Sequence, residues 1–460
     1  MRGACVVALI AMTVACTPPE ITAVTEPLAP PDTFAPTTTR VTQRLTTTTV
    51  DTERAAIYRV DPITLEPIAG FDPIPVGDWA WGISSKNGSW LALNLGYDNQ
   101  NQSEMRLVDI DNWEVTTTWW PSIDSPLHVT DNGTIYVING SPPNFHLSQM
   151  VPDETRPLVI ADLPPQLQWY ELHIHDELAM IFGLNSPEGD NRGEAVIVTV
   201  DLTTGTVVQI PLPGVELGWI AEFDIGEDFP LVADAYPAVI WDDDRSRILI
   251  VNANQNLVTE VIPTTGEITE HRFRSEMAEP TPIGDGAFTN RRRNAQLGRD
   301  GRSLYVATAV QEFEAIDTGW SEQWTSAGIE AIDTESWEVV DRLDAPISEI
   351  YLSSAGDRFL ATGQSYNNSA SIYVSESSGL YVIDAVDLEV IAHHGADQVD
   401  QYYGGISFSP GMRIGYVHAW DQLTIINVVS LETGQIVHTR TGLEFQLFAD
   451  AEVLVEAVQG

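Results

Sequence analysis

The sequence predicts an all-β protein, a β-propeller of four-stranded blades, and three observations carry that prediction. A short hairpin unit returns eight times along the chain. A second hairpin, with its own turn chemistry, lies between successive copies. The copies start between Val60 and Val429, 369 residues in seven steps, and the resulting spacing of about 53 is that of propeller blades.

The chain opens with "MRGACVVALIAMTVACTPPE", in which one positive charge at Arg2 precedes an apolar run from Ala4 to Ala15 and then Cys16. That is a secretory signal pattern. Its run of about twelve residues falls well short of the roughly 20 needed to span hydrocarbon. "TVAC" resembles the cleavage region of a bacterial lipoprotein signal, whose cysteine is acylated and becomes the new N-terminus. Ala15 and Cys16 fit, whereas Thr13 stands where leucine is usual. The expectation is a signal peptide over 1–15, a lipid on Cys16 and a place at the bacterial cell surface. The other reading is a plain secretory signal cut near Ala15, giving a secreted soluble protein. Cys5 falls in the discarded segment, so the mature chain can form no intramolecular disulfide.

Residues 16–54 are rich in Pro and Thr and lack an apolar period, so they bury too little surface to offset ordering. They read as a stalk stiffened by proline, and the propeller is expected over 55–460. The formal net charge is −44, from 66 acidic and 22 basic residues, and Lys86 is the only lysine. This disfavours nucleic acid or an anionic membrane surface as partner. It leaves cations, neutral glycans or basic proteins open; the partner expected is an extracellular or envelope protein or a neutral glycan, with membrane contact through the lipid anchor alone, and the chain is expected to be a monomer. A salt-adapted or arginine-biased organism would produce the same composition.

The copies run "VDPITLEPI" from Val60, "VDIDNWEVT" from Val108, "VPDETRPLV" from Val151, "VDLTTGTVV" from Val200, "VIPTTGEIT" from Val261, "IDTESWEVV" from Ile332, "IDAVDLEVI" from Ile383 and "VSLETGQIV" from Val429. β-favouring residues flank each one, which makes it the turn of an antiparallel hairpin. Gly205, Gly266 and Gly434 stand where a type I turn followed by a left-handed residue needs glycine. Trp113, Trp337 and Leu388 occupy that place elsewhere, so those turns use another geometry or tolerate strain. The interleaved hairpins include "WGISSKNGSWLALN" from Trp81, "LHVTDNGTIYVIN" from Leu127 and "ISEIYLSSAGDRFLATG" from Ile347. An orphan outer hairpin begins the series and an orphan inner hairpin, "LEFQLFADAEVLVEAV" from Leu443, ends it. Joined, they make one further blade and remove the open seam. Eight blades are predicted, or seven if the weak copy at Val151 is an insertion.

"GLYVID", "LEVI" and "GGISFSPGMRIGYV" between Gly379 and Val417, echoed by "GRDGRSLYVA" after Leu297, resemble the YVTN-type propeller repeat and more loosely the WD-repeat-like and quinoprotein-like propellers. The resemblance covers most of 55–460. It implies architecture, and since such propellers range from surface scaffolds to lactonases and cofactor-dependent dehydrogenases, it implies no single function.

Chemistry is sparsely signalled. No Gly-x-Ser-x-Gly elbow, His-Glu-x-x-His, Walker loop or paired CxxC is present, and no catalytic residue is assigned. In "ELHIHDE", His173 and His175 alternate on a strand and share a face with Glu171, the donor set for a divalent metal. Otherwise the histidines are satisfied by neighbouring blades or water. Beyond that metal no cofactor is predicted. "WDDDR" places Asp242, Asp243 and Asp244 together, either as calcium ligands or as a solvated turn. "NRRRN" supplies Arg291, Arg292 and Arg293, with Arg299 and Arg302 behind, for an anion or partner. Alternatively they pair with the chain's own acids. Trp79, Trp81, Trp219, Trp320 and Trp324 offer flat faces to a sugar or pack between blades. The long segments 211–237, 275–293 and 311–326 read as loops, where binding usually lives. The leading functional reading is a surface-anchored, extracytoplasmic propeller for protein or ligand binding or scaffolding, with no catalysis evident. The alternative is a lactonase- or dehydrogenase-like enzyme with a metal or quinone at the channel, and a third is a passive acidic coat.

Overall fold

The computed structural model describes residues 55–457 apart from 78–79, 96–103, 120–127, 142, 153, 155, 187–192, 224–230, 276–286, 317–318, 370–371, 396–401, 410, 421–423, 443–444 and 449–452. The signal segment, Cys16 and the stalk lie outside the described residues. Among the described residues one short 3-10 turn, Asp243–Arg245, interrupts an otherwise all-strand architecture.

Among the described residues, eight four-stranded antiparallel units follow one another. Blades 1 to 7 span 80–119, 128–162, 167–211, 238–272, 287–343, 349–394 and 402–442, each with its strands side by side in chain order. Blade 8 joins the two ends of the series. In it Val453–Ala457 lies between Phe445–Phe448 and Ala55–Arg59, with Val453 opposite Arg59 and Ala457 opposite Ala55, and Ile74–Gly77 forms the outer edge. The segment after Val151 pairs Asn144–Met150 with Leu158–Asp162, so it closes a blade of its own and is not an insertion.

Burial along each blade follows from radial sheets. In blade 3 the strand Leu178–Asn185 is buried almost throughout, because a middle strand meets a neighbouring blade on both faces. The outer strand Val207–Pro211 is largely exposed. Apolar clusters fill every joint. Leu107 of blade 1 packs with Val137 of blade 2, Ile138 of blade 2 with Ile181 of blade 3, and Phe182 of blade 3 with Ile250 of blade 4. Further round, Leu249 meets Val306, Ala307 meets Phe359, and Leu360 meets Val417. Tyr416 of blade 7 then packs on Leu454 of blade 8, and Ile57 and Phe448 of blade 8 on Leu91 of blade 1. The series of joints returns to its start, which makes the sheets a closed propeller ring.

Five of the repeated turns share one backbone bond whether or not they carry glycine. The amide of the fifth residue bonds the carbonyl of the first in Leu65 to Asp61 (2.8 Å), Gly205 to Asp201 (2.8 Å) and Trp337 to Asp333 (2.7 Å). The aspartate so common at the first position caps the turn, as Asp333 does by accepting from the amides of Glu335 and Ser336. Leu65, Trp113, Trp337 and Leu388 all adopt φ between 54° and 58°, so these turns tolerate the left-handed strain. Packing offsets it. Trp337 stacks on His271 of the preceding blade at 4.0 Å, and Trp113 packs on Phe71 and donates to the Asp72 carbonyl at 2.6 Å.

The long middle segments differ from the expected loops. Gly218–Phe223 and Leu231–Ala235 form an extra hairpin between blades 3 and 4. Ser303–Ile316 and Gly319–Asp333 overrun blade 5, and Arg358–Ser369 and Ile372–Asp384 overrun blade 6. The two overruns pair edge to edge, Glu322 opposite Asn368 and Trp324 opposite Tyr366, so blades 5 and 6 share one eight-stranded sheet. Alternating polar and apolar residues in "QEFEAIDTGWSEQW" explain why this stretch extends as strand.

Candidate functional site

Because adjacent strands are antiparallel, the turns of each blade alternate between two faces of the ring. Turns after the first and third strands lie on a lower face. Turns after the second strand, the inter-blade connections and the overrunning hairpins lie on the upper one. Two polar clusters gather along the inner strands, one towards each face.

The lower cluster contains the predicted histidines. His173 and His175 lie near the end of the first strand of blade 3, Leu167–His175, and both reach Asp243 in the first turn of blade 4. His173 Nε2 stands 2.7 Å from Asp243 Oδ1 and His175 Nδ1 stands 3.4 Å from the same atom. Burial alone would raise the Asp243 carboxyl, but the His173 hydrogen bond and the nearby His173, His175 and Lys86 hold it below the usual carboxylate range. The two motifs "HIH" and "DDD" are therefore halves of one arrangement. Trp241 stacks on the His173 ring at 5.1 Å, and His128 of blade 2 meets that ring edge-on at 6.2 Å. Glu171 accepts from Trp241 Nε1 at 3.3 Å, and burial pushes its carboxyl up to about 7. Among the described residues no group of three or more His, Cys, Asp or Glu is disposed to hold a metal ion. Asp242 instead pairs with Arg247 at 2.8 Å inside the blade, while Asp244 is exposed. His175, Trp241, Asp243 and Thr264 line a cleft of about 150 Å³ between blades 3 and 4.

The upper cluster is built round Arg292. The arginine triplet lies on the first strand of blade 5, Ala287–Leu297, where alternation separates its members. Arg291 and Arg293 turn towards blade 4. Arg293 donates to the carbonyls of Asn252 and Gln255 and to Asn256 Oδ1 at 2.7 to 2.9 Å, and Arg291 also reaches Asn256. Burial, then the charge of Arg291, lowers Arg293 to about 9. The internal partners are thus amides and carbonyls, because the bend "NANQN" aims its oxygens at them. Arg302 does pair with acids, Asp333 at 2.7 Å and Glu335 at 3.2 Å.

Arg292 points elsewhere. Its guanidinium lies 4.8 Å from the Tyr236 ring centre and 5.0 Å from that of Trp324, with Asp234 at 3.9 Å. Trp324 stacks on Tyr366 at 5.5 Å, and Tyr366 donates to Glu322 at 2.6 Å. Asn290 donates to Gln311, which in turn donates to Glu322. Of the tryptophans singled out in the sequence, Trp324 alone is placed here. Trp219 is half-buried in the added hairpin, and the side chains of Trp79, Trp81 and Trp320 lie outside the described residues. Asp234, Tyr236 and Tyr366 carry no sequence signal, since the blade 5 residues they meet lie far along the chain, and Asn290 is visible only as the flank of the arginine triplet. His128 is likewise invisible until blades 2 and 3 are set side by side.

No protein-family model matches the chain, and no curated protein matches it in sequence. Among solved structures it is similar to the dihydro-heme d1 dehydrogenase NirN in complex with DHE, with 13% identity, 86% of this chain and 74% of that one covered, and a TM-score of 0.47. The Dos1 propeller gives 11% identity, 81% and 90% coverage and a TM-score of 0.43. The propeller domain of Cps50 (Swd1) from Myceliophteria thermophila gives 13%, 82% and 96%, and 0.37. Similarity at this level leaves function open, and the fold rests on the chain's own sheets.

Proposed function

We propose that the protein is a surface-tethered, extracytoplasmic propeller that binds a protein or ligand without converting it. The observation carrying this reading is the upper face, where the overrunning hairpins of blades 5 and 6 join backbone to backbone into a platform on a closed ring. Rigid scaffolds that present extended segments are where recognition concentrates. The test compares capture of envelope proteins and glycans by the full chain with capture by a variant whose residues 312–323 are replaced by an Asn-Gly turn. Selective loss of capture with an unchanged unfolding midpoint supports the reading, and conversion of a captured ligand into product rejects it. Tethering is tested separately, since Cys16→Ala is expected to release the chain into the medium.

The enzyme reading draws on the lower cluster, where Glu171 is held near neutrality and His173 is oriented by Asp243. A divalent metal on His173, His175 and Glu171 would require these side chains to rearrange, since as they stand they form no group disposed to hold one. Turnover abolished by replacing both histidines with alanine would favour it, and turnover fully retained would remove them as ligands.

A further inference from the structure

The cleft between blades 3 and 4 has walls of two kinds. Leu178, Met180 and Trp241 give it apolar surface, and Met180 and Trp241 are buried. Asp176, Asp243 and Thr264 line it towards solvent, where the Asp176 side chain keeps 87% of its surface and that of Asp243 28%, and Thr264 is exposed. Solutes therefore reach it. Its volume of about 150 Å³ equals that of a cavity that takes up benzene, so an occupant has about six non-hydrogen atoms.

Charge narrows what can enter. Three carboxylates, Asp176, Asp242 and Asp243, line the cleft against one guanidinium, that of Arg247. Arg247 is already engaged, since Nε donates to Asp242 at 2.8 Å and Nη1 to Glu260 at 3.3 Å. Asp243 Oδ1 meets His173 Nε2 at 2.7 Å and His175 Nδ1 at 3.4 Å, whereas among the described residues Asp243 Oδ2 accepts no hydrogen bond. Asp176 Oδ2 stands 3.5 Å from His175 Nε2, too far for a strong bond. Both carboxylates thus keep acceptor capacity beside apolar surface. An anion is repelled, and the chain's charge of −44 acts in the same direction. A compact divalent ion needs several converging donors, and no three His, Cys, Asp or Glu among the described residues provide them. A primary ammonium needs less. It is a point charge with three N–H donors, and its stem can lie on apolar surface while the head stays near water.

We propose that this cleft binds a primary ammonium on a short apolar stem, the head at Asp243 and Asp176 and the stem on Leu178, Met180 and Trp241. The site lies apart from the platform on the upper face and goes beyond the reading drawn from it. A free alkylamine and the lysine side chain of a basic protein share this chemistry.

Calorimetric titration of the full chain with butylamine tests the site, with 1-butanol and butyrate as its neutral and anionic counterparts. Butylamine is expected to saturate, and both counterparts to bind about tenfold worse or more. Thr264→Trp, which fills the cleft from its exposed rim, and Asp243→Asn are each expected to weaken butylamine by about tenfold or more. Asp176→Asn should weaken it about two- to fivefold, because an exposed charge acts through solvent. Should Asp243→Asn not fold, the other two variants decide. A lysine peptide capped at both ends binding tighter than butylamine would assign the site to a partner's side chain, and the converse to a free amine. Dissociation constants all weaker than about 10 mM, butanol binding as well as butylamine, or binding unchanged in both Thr264→Trp and Asp176→Asn would overturn the proposal. Zinc binding in place of butylamine would overturn it in favour of a metal. Replacement of 312–323 is expected to leave butylamine binding unchanged, so the two sites fail or stand separately.

Discussion

Burial lowers the imidazoles of His128 and His418 to about 4, the latter by desolvation alone and the former with help from His173. The unfolded chain takes up protons on both from about pH 6.5 downward, whereas the folded chain resists until about pH 4. More protons on the unfolded state means that stability falls as pH drops through that window, by up to about 3 kcal/mol for each ring. Urea unfolding followed against pH should therefore steepen below pH 6.5 in the parent and flatten in His128→Gln and His418→Gln; an unchanged slope in both would dismiss the argument. Asp243 acts lower on the scale. Its carboxyl is held down in the fold, so its contribution is intact above the ordinary carboxylate range and disappears as pH falls through the depressed value. His173 and His175 were legible in the sequence because alternation on a strand is a local property. Their partner Asp243 lies 70 residues from His173 and was legible only as part of an acidic run. Burial of His128 depends on which blade faces it, which no local pattern records.

Single elements show how the same turn is built with and without glycine. Gly205 and Gly266 sit at equivalent positions with φ of 70° and 73°. A Cβ at Gly266 would find only Ile210 Cγ1 at 3.9 Å, whereas one at Gly205 would stand 2.6 Å from the Ile160 carbonyl oxygen. Gly266→Ala is accordingly expected to cost about 1–2 kcal/mol, the left-handed penalty alone, and Gly205→Ala clearly more. Equal losses on chemical denaturation would show that backbone conformation governs both. The turn positions themselves were readable from the repeated Asp and Gly. That Trp113 and Trp337 keep the same turn was not, since the compensating contacts come from Phe71 and His271, 42 and 66 residues earlier in the chain. The middle hairpins were mistaken for loops because length was weighed above their alternation.

The whole molecule depends on its closing blade. Leu454 is fully buried and packs with Tyr416 of blade 7, and the Tyr416 hydroxyl donates to the Pro62 carbonyl at 2.9 Å across 354 residues of chain. Leu454→Ala should lower stability by about 2–5 kcal/mol in a single cooperative transition, and a loss below about 1 kcal/mol would mean that the ring does not rely on this joint. The four-stranded units and the closure by both ends were legible because period and orphan hairpins are written along the chain. The bond between blades 5 and 6 was not, since nothing in either hairpin marks its edge for the other. Among the described residues, the other joints of the ring meet through side chains apart from a single backbone bridge of Tyr236 to Arg292 beside blades 4 and 5, whereas Glu322 to Trp324 and Tyr366 to Asn368 form a run of backbone pairs. Such a joint resists shear, so the ring carries one stiff sector and one compliant one.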